Sequence, residues 1–232
     1  MIHELTEKEI ARNKEDFVNG AKAVAGGVFL LLFLGSQYIA GNIAPYILTY
    51  YHNLGQTELT ETDTFYILTV MIVIAMMFYP IGGRLARRYK PRNLILTFAP
   101  IGLTGIFISS FMSNYWAWLV TYSGSFGFLI GCIYIVPIQV AWVHFPKNIG
   151  LAGGIVISGF GGGAFFFNFI STAFANPNNL KPVNGLYPKE VGDNVPFMIR
   201  SCVAIWTVLT VIAVLLINEK KQTKQENGAA EN

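Results

Sequence analysis

The chain has 232 residues, of which 53% are hydrophobic and only 12% are charged, and its mean hydropathy is +0.47. Soluble domains carry about a quarter charged residues, so this composition excludes an ordinary water-soluble protein. The net charge of +3 is explained by membrane topology and needs no nucleic-acid partner. The sequence therefore predicts an integral membrane protein whose first partner is the lipid bilayer.

Continuous apolar runs predict six transmembrane helices. A bilayer core of about 30 Å is crossed by roughly 20 helical residues, whereas strands of a membrane barrel would alternate apolar and polar residues. The predicted spans are 22–51, 63–83, 93–113, 115–143, 149–175 and 197–217. The predicted fold class is thus all-α integral membrane, with a polar N-terminal segment at 1–20, a six-helix transmembrane domain at 21–218 and a polar tail at 219–232.

The polar N-terminal segment lacks the basic-then-apolar layout of a cleavable signal, so we expect that nothing is removed from it. Thr6 and Glu9 have the spacing of a capping box. Leu5, Ile10 and Phe17 can share one face of a helix. The segment therefore predicts a short amphipathic helix at the membrane interface.

Charged residues divide between the connections and predict the orientation. The connection after the second span is basic and contains no acidic residue: Arg84, Arg87, Arg88, Lys90 and Arg92. The connection after the first span carries Glu58, Glu61 and Asp63 and no Lys or Arg. The positive-inside rule places the basic connection, and with it both termini, on the cytoplasmic or topologically equivalent side. The residues do not identify the membrane; an organelle inner membrane is one alternative.

The fifth span carries a small residue at every fourth position: Gly150, Gly154, Ser158 and Gly162. This small-residue face lets another backbone approach closely. Two alternatives are equally weighted, because the spacing suits both packing within the chain and contact with another chain or half.

Uncharged polar residues are concentrated in the first and fourth spans, which almost lack ionisable side chains. They are Gln37, Tyr38, Asn42, Tyr46, Tyr134 and Gln139. These residues could line the path of a solute, and the spacing predicts that Tyr38, Asn42 and Tyr46 share a helix face. Hydrogen bonding between helices is the alternative that the residues alone favour. No catalytic triad, metal site or cofactor motif is recognised, so we expect neither an enzyme nor a bound cofactor.

The segment 134–164 resembles the fourth-to-fifth-helix signature of the oxalate/formate antiporter-like and monocarboxylate transporter group of the major facilitator superfamily. The matching residues are Phe145, Pro146, Gly150, Ala152, Gly154, Gly159 and Gly161. Gly35, Tyr38 and Pro45 resemble that group's first helix. The superfamily's loop between helices two and three is matched by Gly83, Leu85, Arg88, Pro91 and Arg92.

Three positions depart from the resemblance. Arg87 stands where the loop usually has an Asp that takes part in gating between two halves, and Lys90 stands where it usually has a Gly. Asn42 occupies the approximate position of a substrate-related Lys of monocarboxylate transporters. These departures place normal gating and proton-coupled monocarboxylate binding in question.

The resemblance implies one six-helix half, made of two inverted three-helix repeats, of a twelve-helix fold. We therefore expect a half-size transporter that moves a small organic anion of the monocarboxylate or dicarboxylate class. Its second six-helix half would come from a homodimer or from another chain. The alternative is a transport-inactive accessory subunit of a larger membrane complex, for which no small solute is expected.

Overall fold

The computed structural model describes the backbone of residues 2–218 and the side chains of residues 13–218. The described backbone is helical apart from short connections and one longer loop before the last span. The predicted capping box and the side chains of Leu5 and Ile10 lie outside the described side chains, and the tail at 219–232 lies outside the described residues altogether.

The helices in chain order are α1 (Ile2–Gly35), α2 (Ala40–Asn53), α3 (Glu61–Thr64), α4 (Tyr66–Arg88), α5 (Pro91–Ser109), α6 (Tyr115–Ile133), α7 (Ile135–His144), α8 (Ile149–Ala175), α9 (Lys189–Asp193) and α10 (Val195–Leu216). A four-residue 3₁₀ turn, Ser36–Ile39, joins α1 to α2. The segment at 1–20 does not form a separate short helix in the described backbone, because α1 runs from it into the first span without a break.

Six stretches of the described chain are long and apolar enough to cross a membrane, which confirms the predicted fold class. They are Asn13–Asn53, Glu61–Arg88, Pro91–Ser109, Tyr115–His144, Ile149–Ala175 and Lys189–Leu216. The second span ends five residues later than predicted, at Arg88, because its Arg-rich last turn suits the negative end of the helix dipole. Pro91 then begins the third span at the position that best tolerates proline.

The first and fifth spans approach each other through glycines. A side chain at Gly163 would overlap the carbonyl oxygen of Leu32, and one at Gly35 would overlap that of Phe160. A side chain at Gly159 would likewise overlap the carbonyl oxygen of Val28. Small residues allow this backbone contact, which supplies the dispersion attraction that holds helices together in lipid.

The small-residue face predicted on the fifth span is not the face that packs within the described chain. A side chain added at Gly150 or Gly154 would meet nothing within 4 Å, and Ser158 is exposed. A side chain added at Gly162 would meet only side-chain atoms, those of Leu32 at 3.3 Å and of Phe166 at 3.8 Å. Packing of the fifth span within the described chain uses Gly159 and Gly163 instead. The small-residue face is left open.

Aromatic rings fill the centre of the bundle around Trp206 of the sixth span. Its indole lies 5.0 Å from the ring of Phe126, 5.7 Å from that of Phe33 and 5.7 Å from that of Phe167. These four side chains are almost fully buried and come from the sixth, fourth, first and fifth spans. One aromatic cluster therefore joins four of the six helices.

Hydrogen bonds and one contact between aromatic rings join the helix ends at the two ends of the bundle. At the Arg-rich end, the Nε of Arg92 donates to the carbonyl of Ile217 at 2.6 Å, and the rings of Phe17 and Phe145 meet edge to face at 5.9 Å. At the opposite end, the amide of Gln56 donates to the carbonyl of Ser113 at 2.7 Å. The two ends of the described chain therefore lie at the same, Arg-rich end.

We predict that Gly163→Leu destabilises the chain and that Gly154→Leu does not. A leucine at position 163 must push the fifth span off the first, and overpacking of about 1–3 kcal/mol corresponds to a fall in Tm of roughly 3–10 °C for a chain of this size. Thermal unfolding of the two variants in the same detergent measures the difference. Equal Tm values for the two variants would contradict the assigned packing face.

Candidate functional site

Four aromatic side chains from four spans meet on one side of the bundle, and we call them the inner aromatic cluster. The ring of Tyr134 lies 5.2 Å from that of Phe160 and 6.2 Å from that of Tyr79. The ring of Tyr38 lies 5.6 Å from that of Phe160, edge to face. The first, second, fourth and fifth spans thus each contribute one ring to the same surface.

Local backbone features position these rings. Tyr38 lies in the 3₁₀ turn Ser36–Ile39, whose other side chains, those of Ser36, Gln37 and Ile39, are buried while Tyr38 points outward. Tyr134 occupies the junction between α6 and α7. Phe160 is held by the contact of its carbonyl with Gly35. The glycine-mediated contact between the first and fifth spans therefore also sets the distance between Tyr38 and Phe160.

The hydroxyl groups of the cluster are available. Tyr38 is 50% exposed and Tyr79 is 41% exposed, and Tyr134 is half-buried. Within the described chain none of these three hydroxyls makes a hydrogen bond. Each can therefore donate one hydrogen bond to a solute and accept others.

Asn42 holds two spans together. Its amide nitrogen donates to Thr172 Oγ1 at 3.0 Å, to the carbonyl of Asn168 at 3.3 Å and to Ser171 Oγ at 3.4 Å. All three acceptors belong to α8. At Asn42 the structure therefore has hydrogen bonding between helices, the alternative that the sequence analysis favoured over a solute path.

Tyr38 is exposed, Asn42 bonds to α8 and Tyr46 is buried against the loop before the last span. The three residues therefore do not line one exposed face. Tyr46 is buried, and its ring packs edge to face on that of Tyr187 at 4.9 Å. Burial raises the pKa of Tyr187 and the neighbouring Tyr46 raises it further, so the Tyr187 hydroxyl stays neutral in the physiological range. The change from 3₁₀ to α geometry after Ile39 breaks the regular spacing on which the predicted face depended.

The two glutamines also differ in environment. Gln37 is buried in the 3₁₀ turn, where its backbone carbonyl accepts from the N–H of Ala40. Gln139 is half-buried on α7, the helix that begins just after Tyr134. Of the six residues predicted for a solute path, Tyr38 and Tyr134 are thus brought together in the inner aromatic cluster.

Two members of the cluster, Tyr79 and Phe160, were missed by sequence reasoning. Tyr79 is a polar aromatic residue well inside the second span, so the criterion that selected Tyr134 could also have found it. Phe160 stands in a run of phenylalanines and glycines and carries no polar group that distinguishes it. Its place in the cluster follows only from the packing of the fifth span on the first.

The connection between the second and third spans is entirely basic in its charges. The Nε of Arg87, at the position of the usual Asp, donates to the carbonyl of Gly83 in its own helix at 3.3 Å. Arg88 is exposed, and Lys90 precedes Pro91 at the start of α5. Arg92 alone among the loop's arginines reaches the end of the sixth span. A carboxylate that could pair with a second half is missing from this connection.

The inner aromatic cluster combines apolar ring faces with neutral hydroxyl donors. No Asp, Glu, His, Lys or Arg of the described chain belongs to it. Such a surface can hold a small solute by stacking and by hydrogen bonds to a carboxylate or carbonyl oxygen.

Two characterised proteins are similar to this chain. Apicoplast pyruvate carrier 1 of Toxoplasma gondii is 24% identical over a match that spans 77% of this chain and 39% of the carrier. Agnestins efflux protein AgnL12 of Paecilomyces divaricatus is 26% identical over 62% of this chain and 33% of that protein. The match therefore spans between a third and two fifths of the length of these relatives.

The family model of the Major Facilitator Superfamily matches residues 26–232, which is most of the chain. Six apolar helices are consistent with a six-helix portion of such a protein. This chain belongs to the Major Facilitator Superfamily.

Proposed function

We propose that this chain forms one six-helix half of a transporter for a small organic anion of the monocarboxylate or dicarboxylate class. The observation that carries the proposal is the inner aromatic cluster, in which three tyrosines from three spans, two exposed and one half-buried, have hydroxyls without a partner in the described chain. Hydroxyl donors bind carboxylate oxygens strongly because the acceptor is charged. The similarity to a pyruvate carrier supports this class, since pyruvate is a monocarboxylate.

The proposed transporter needs a second six-helix half, from another copy of this chain or from another polypeptide. In this superfamily's architecture the solute site lies between two halves near the bilayer midplane. The small-residue face of the fifth span supports this, because Gly150 and Gly154 leave room for a further backbone. Exposed tyrosine hydroxyls would also be unfavourable against lipid and favour a covered, watery surface.

The proposed orientation places the Arg-rich end in the cytoplasm or its topological equivalent. The sequence contains no acidic residue between Asp63 and Glu190, so the connections at that end carry only basic charges over this stretch. Lys and Arg in short connections favour the cytoplasmic side.

A transport-inactive accessory subunit is the second candidate, and Arg87 favours it. In place of the usual acidic residue, this side chain bonds within its own helix and adds positive charge to an already basic loop. The acidic member of the gating charge network that the resemblance implies is therefore absent from this loop. Under this candidate the protein would still assemble with other membrane chains and would carry no solute.

We predict that replacing Tyr38, Tyr79 and Tyr134 together by Phe lowers pyruvate uptake strongly without unfolding the protein. Each hydrogen bond to a charged group contributes about 1.5–3 kcal/mol, so loss of even one corresponds to roughly a tenfold or larger fall. The measurement is uptake of labelled pyruvate by liposomes that contain the protein in the assembly in which it is extracted.

Tyr66→Phe is the matched control, because this exposed tyrosine lies at the start of α4 and packs on Trp116, away from the cluster. It should leave uptake unchanged. Wild-type uptake no faster than that of empty liposomes would remove the transporter proposal for this solute class and favour the accessory subunit. Normal uptake by the triple variant would show that the solute does not use the cluster.

We also predict that Asn42→Leu and Gln139→Leu have different effects. Asn42→Leu removes the bonds to α8 and should lower Tm by about 2–4 °C, since such bonds contribute about 1 kcal/mol in membranes. Gln139→Leu should leave Tm within error, because Gln139 makes no hydrogen bond in the described chain. Thermal unfolding and pyruvate uptake are measured on both variants. A larger fall in Tm for Gln139→Leu would contradict the structural role given to Asn42.

A further inference from the structure

A groove of about 440 Å³ runs between α5 and α10, the third and sixth spans, which contribute nothing to the inner aromatic cluster. Its walls are aliphatic and aromatic, and include Ile95, Leu103, Phe107, Val203, Val211 and Leu215. Three threonines also line it. The hydroxyl of Thr207 donates to the carbonyl of Val203 at 2.8 Å and that of Thr210 to the carbonyl of Trp206 at 2.8 Å, whereas the hydroxyl of Thr104 makes no hydrogen bond in the described chain. With two of the three hydroxyls bonded to the helix backbone, the groove is apolar throughout most of its length.

The length of the groove matches one leaflet of a bilayer. Its wall on α5 extends from Ile95 to Phe107, which is about 18 Å at a rise of roughly 1.5 Å per residue. One leaflet of hydrocarbon is about 15 Å deep, half of the usual core. An extended acyl chain of one leaflet would therefore lie along the groove from end to end.

A guanidinium group, that of Arg92, bonds to the backbone of Leu215, one of the residues that line the groove. Arg92 precedes Ile95 and Leu96 by one helical turn, so it lies on the groove side of α5. Its Nε donates to Ile217, and one terminal nitrogen donates to the carbonyl of Leu215 at 2.9 Å and to Asn218 Oδ1 at 3.1 Å. These bonds hold Arg92 between the third and sixth spans and use three of its five N–H donors.

All charges of the connection that carries Arg92 are basic, and in the sequence after the sixth span Glu219 is followed by Lys220 and Lys221. Arg88 and Lys90 come shortly before Arg92, and no acidic residue occurs between Asp63 and Glu190. Anionic lipids attract each nearby Lys or Arg by about 1 kcal/mol. A phosphate group without a balancing cation is thus favoured here over a zwitterionic headgroup.

We propose that the groove between α5 and α10 holds one acyl chain of an anionic phospholipid whose phosphate lies beside Arg92. The apolar walls suit an acyl chain, and the length of the groove suits an acyl chain that lies along one leaflet. The basic residues at one end suit an anionic headgroup. The lipid would brace the third span against the sixth.

The test is native mass spectrometry of the full chain after incubation with equal amounts of dioleoylphosphatidylglycerol and dioleoylphosphatidylcholine. We expect one retained phosphatidylglycerol per chain, preferred over phosphatidylcholine by about fivefold or more, the equivalent of one cation–lipid attraction. Thr207→Trp fills the groove and should abolish this retention. Val208→Trp is the matched control, because Val208 is the next residue on α10, is exposed and lies outside the groove.

The charge is tested separately with Arg92→Lys and Arg92→Gln. The lysine variant should keep the preference for phosphatidylglycerol, and the glutamine variant should lose it. Equal retention of both lipids by the wild-type chain would overturn the proposal, and so would equal retention of phosphatidylglycerol by the Thr207→Trp and Val208→Trp variants. A dimer mass that disappears only in Thr207→Trp would also overturn it, because a second copy would then cover the groove. If Arg92→Gln does not fold, the comparison of Thr207→Trp with Val208→Trp still tests whether the groove holds the lipid.

Discussion

Helices in lipid gain little from leaving their apolar surroundings, so their association depends on how closely their backbones can approach. In this chain the approach is made by glycine at two pairs of spans. Gly159 and Gly163 bring the fifth span against the first, and Gly82, Gly127 and Gly131 bring the second against the fourth, where added side chains would overlap the facing helix. The aromatic core around Trp206, the hydrogen bonds of Asn42 and the spacing of the exposed tyrosines all depend on these contacts.

The glycine contact with the first span leaves the fifth span with two faces that differ in role. One face, with Gly159 and Gly163, is occupied by the first span, while Gly150 and Gly154 on another face are open. Asn42 adds direction to the contact, because its amide can reach Asn168 and Thr172 only when the two helices are in register. The inner aromatic cluster is therefore the consequence of a fixed alignment of the first and fifth spans.

Spans could be predicted well because hydrophobic length is a property of single segments. The fifth span was predicted with the bounds that the structure has, whereas the second continues past its predicted end at 83 to Arg88, because long basic side chains can reach the interface from the end of a membrane helix. Contacts were harder to predict, because they depend on rotation of one helix relative to another. Gly159 and Gly163 have the same spacing of four as Gly150, Gly154, Ser158 and Gly162, so spacing alone does not show which of the two faces packs on the first span. Tyr38 separates from Tyr46 because the helix changes type between them.

The 3₁₀ turn at Ser36–Ile39 sets the rotation between the two parts of the first span. A residue advances the chain by about 120° in a 3₁₀ helix and by about 100° in an α-helix. Conversion of these four residues to α geometry would rotate the segments on either side of the turn relative to each other by about 80°, close to a quarter turn. With α geometry at the turn, Asn42 would not reach Asn168 and Thr172 while Gly35 faces Phe160, so the 3₁₀ winding allows both parts of the first span to pack on the same neighbouring helix.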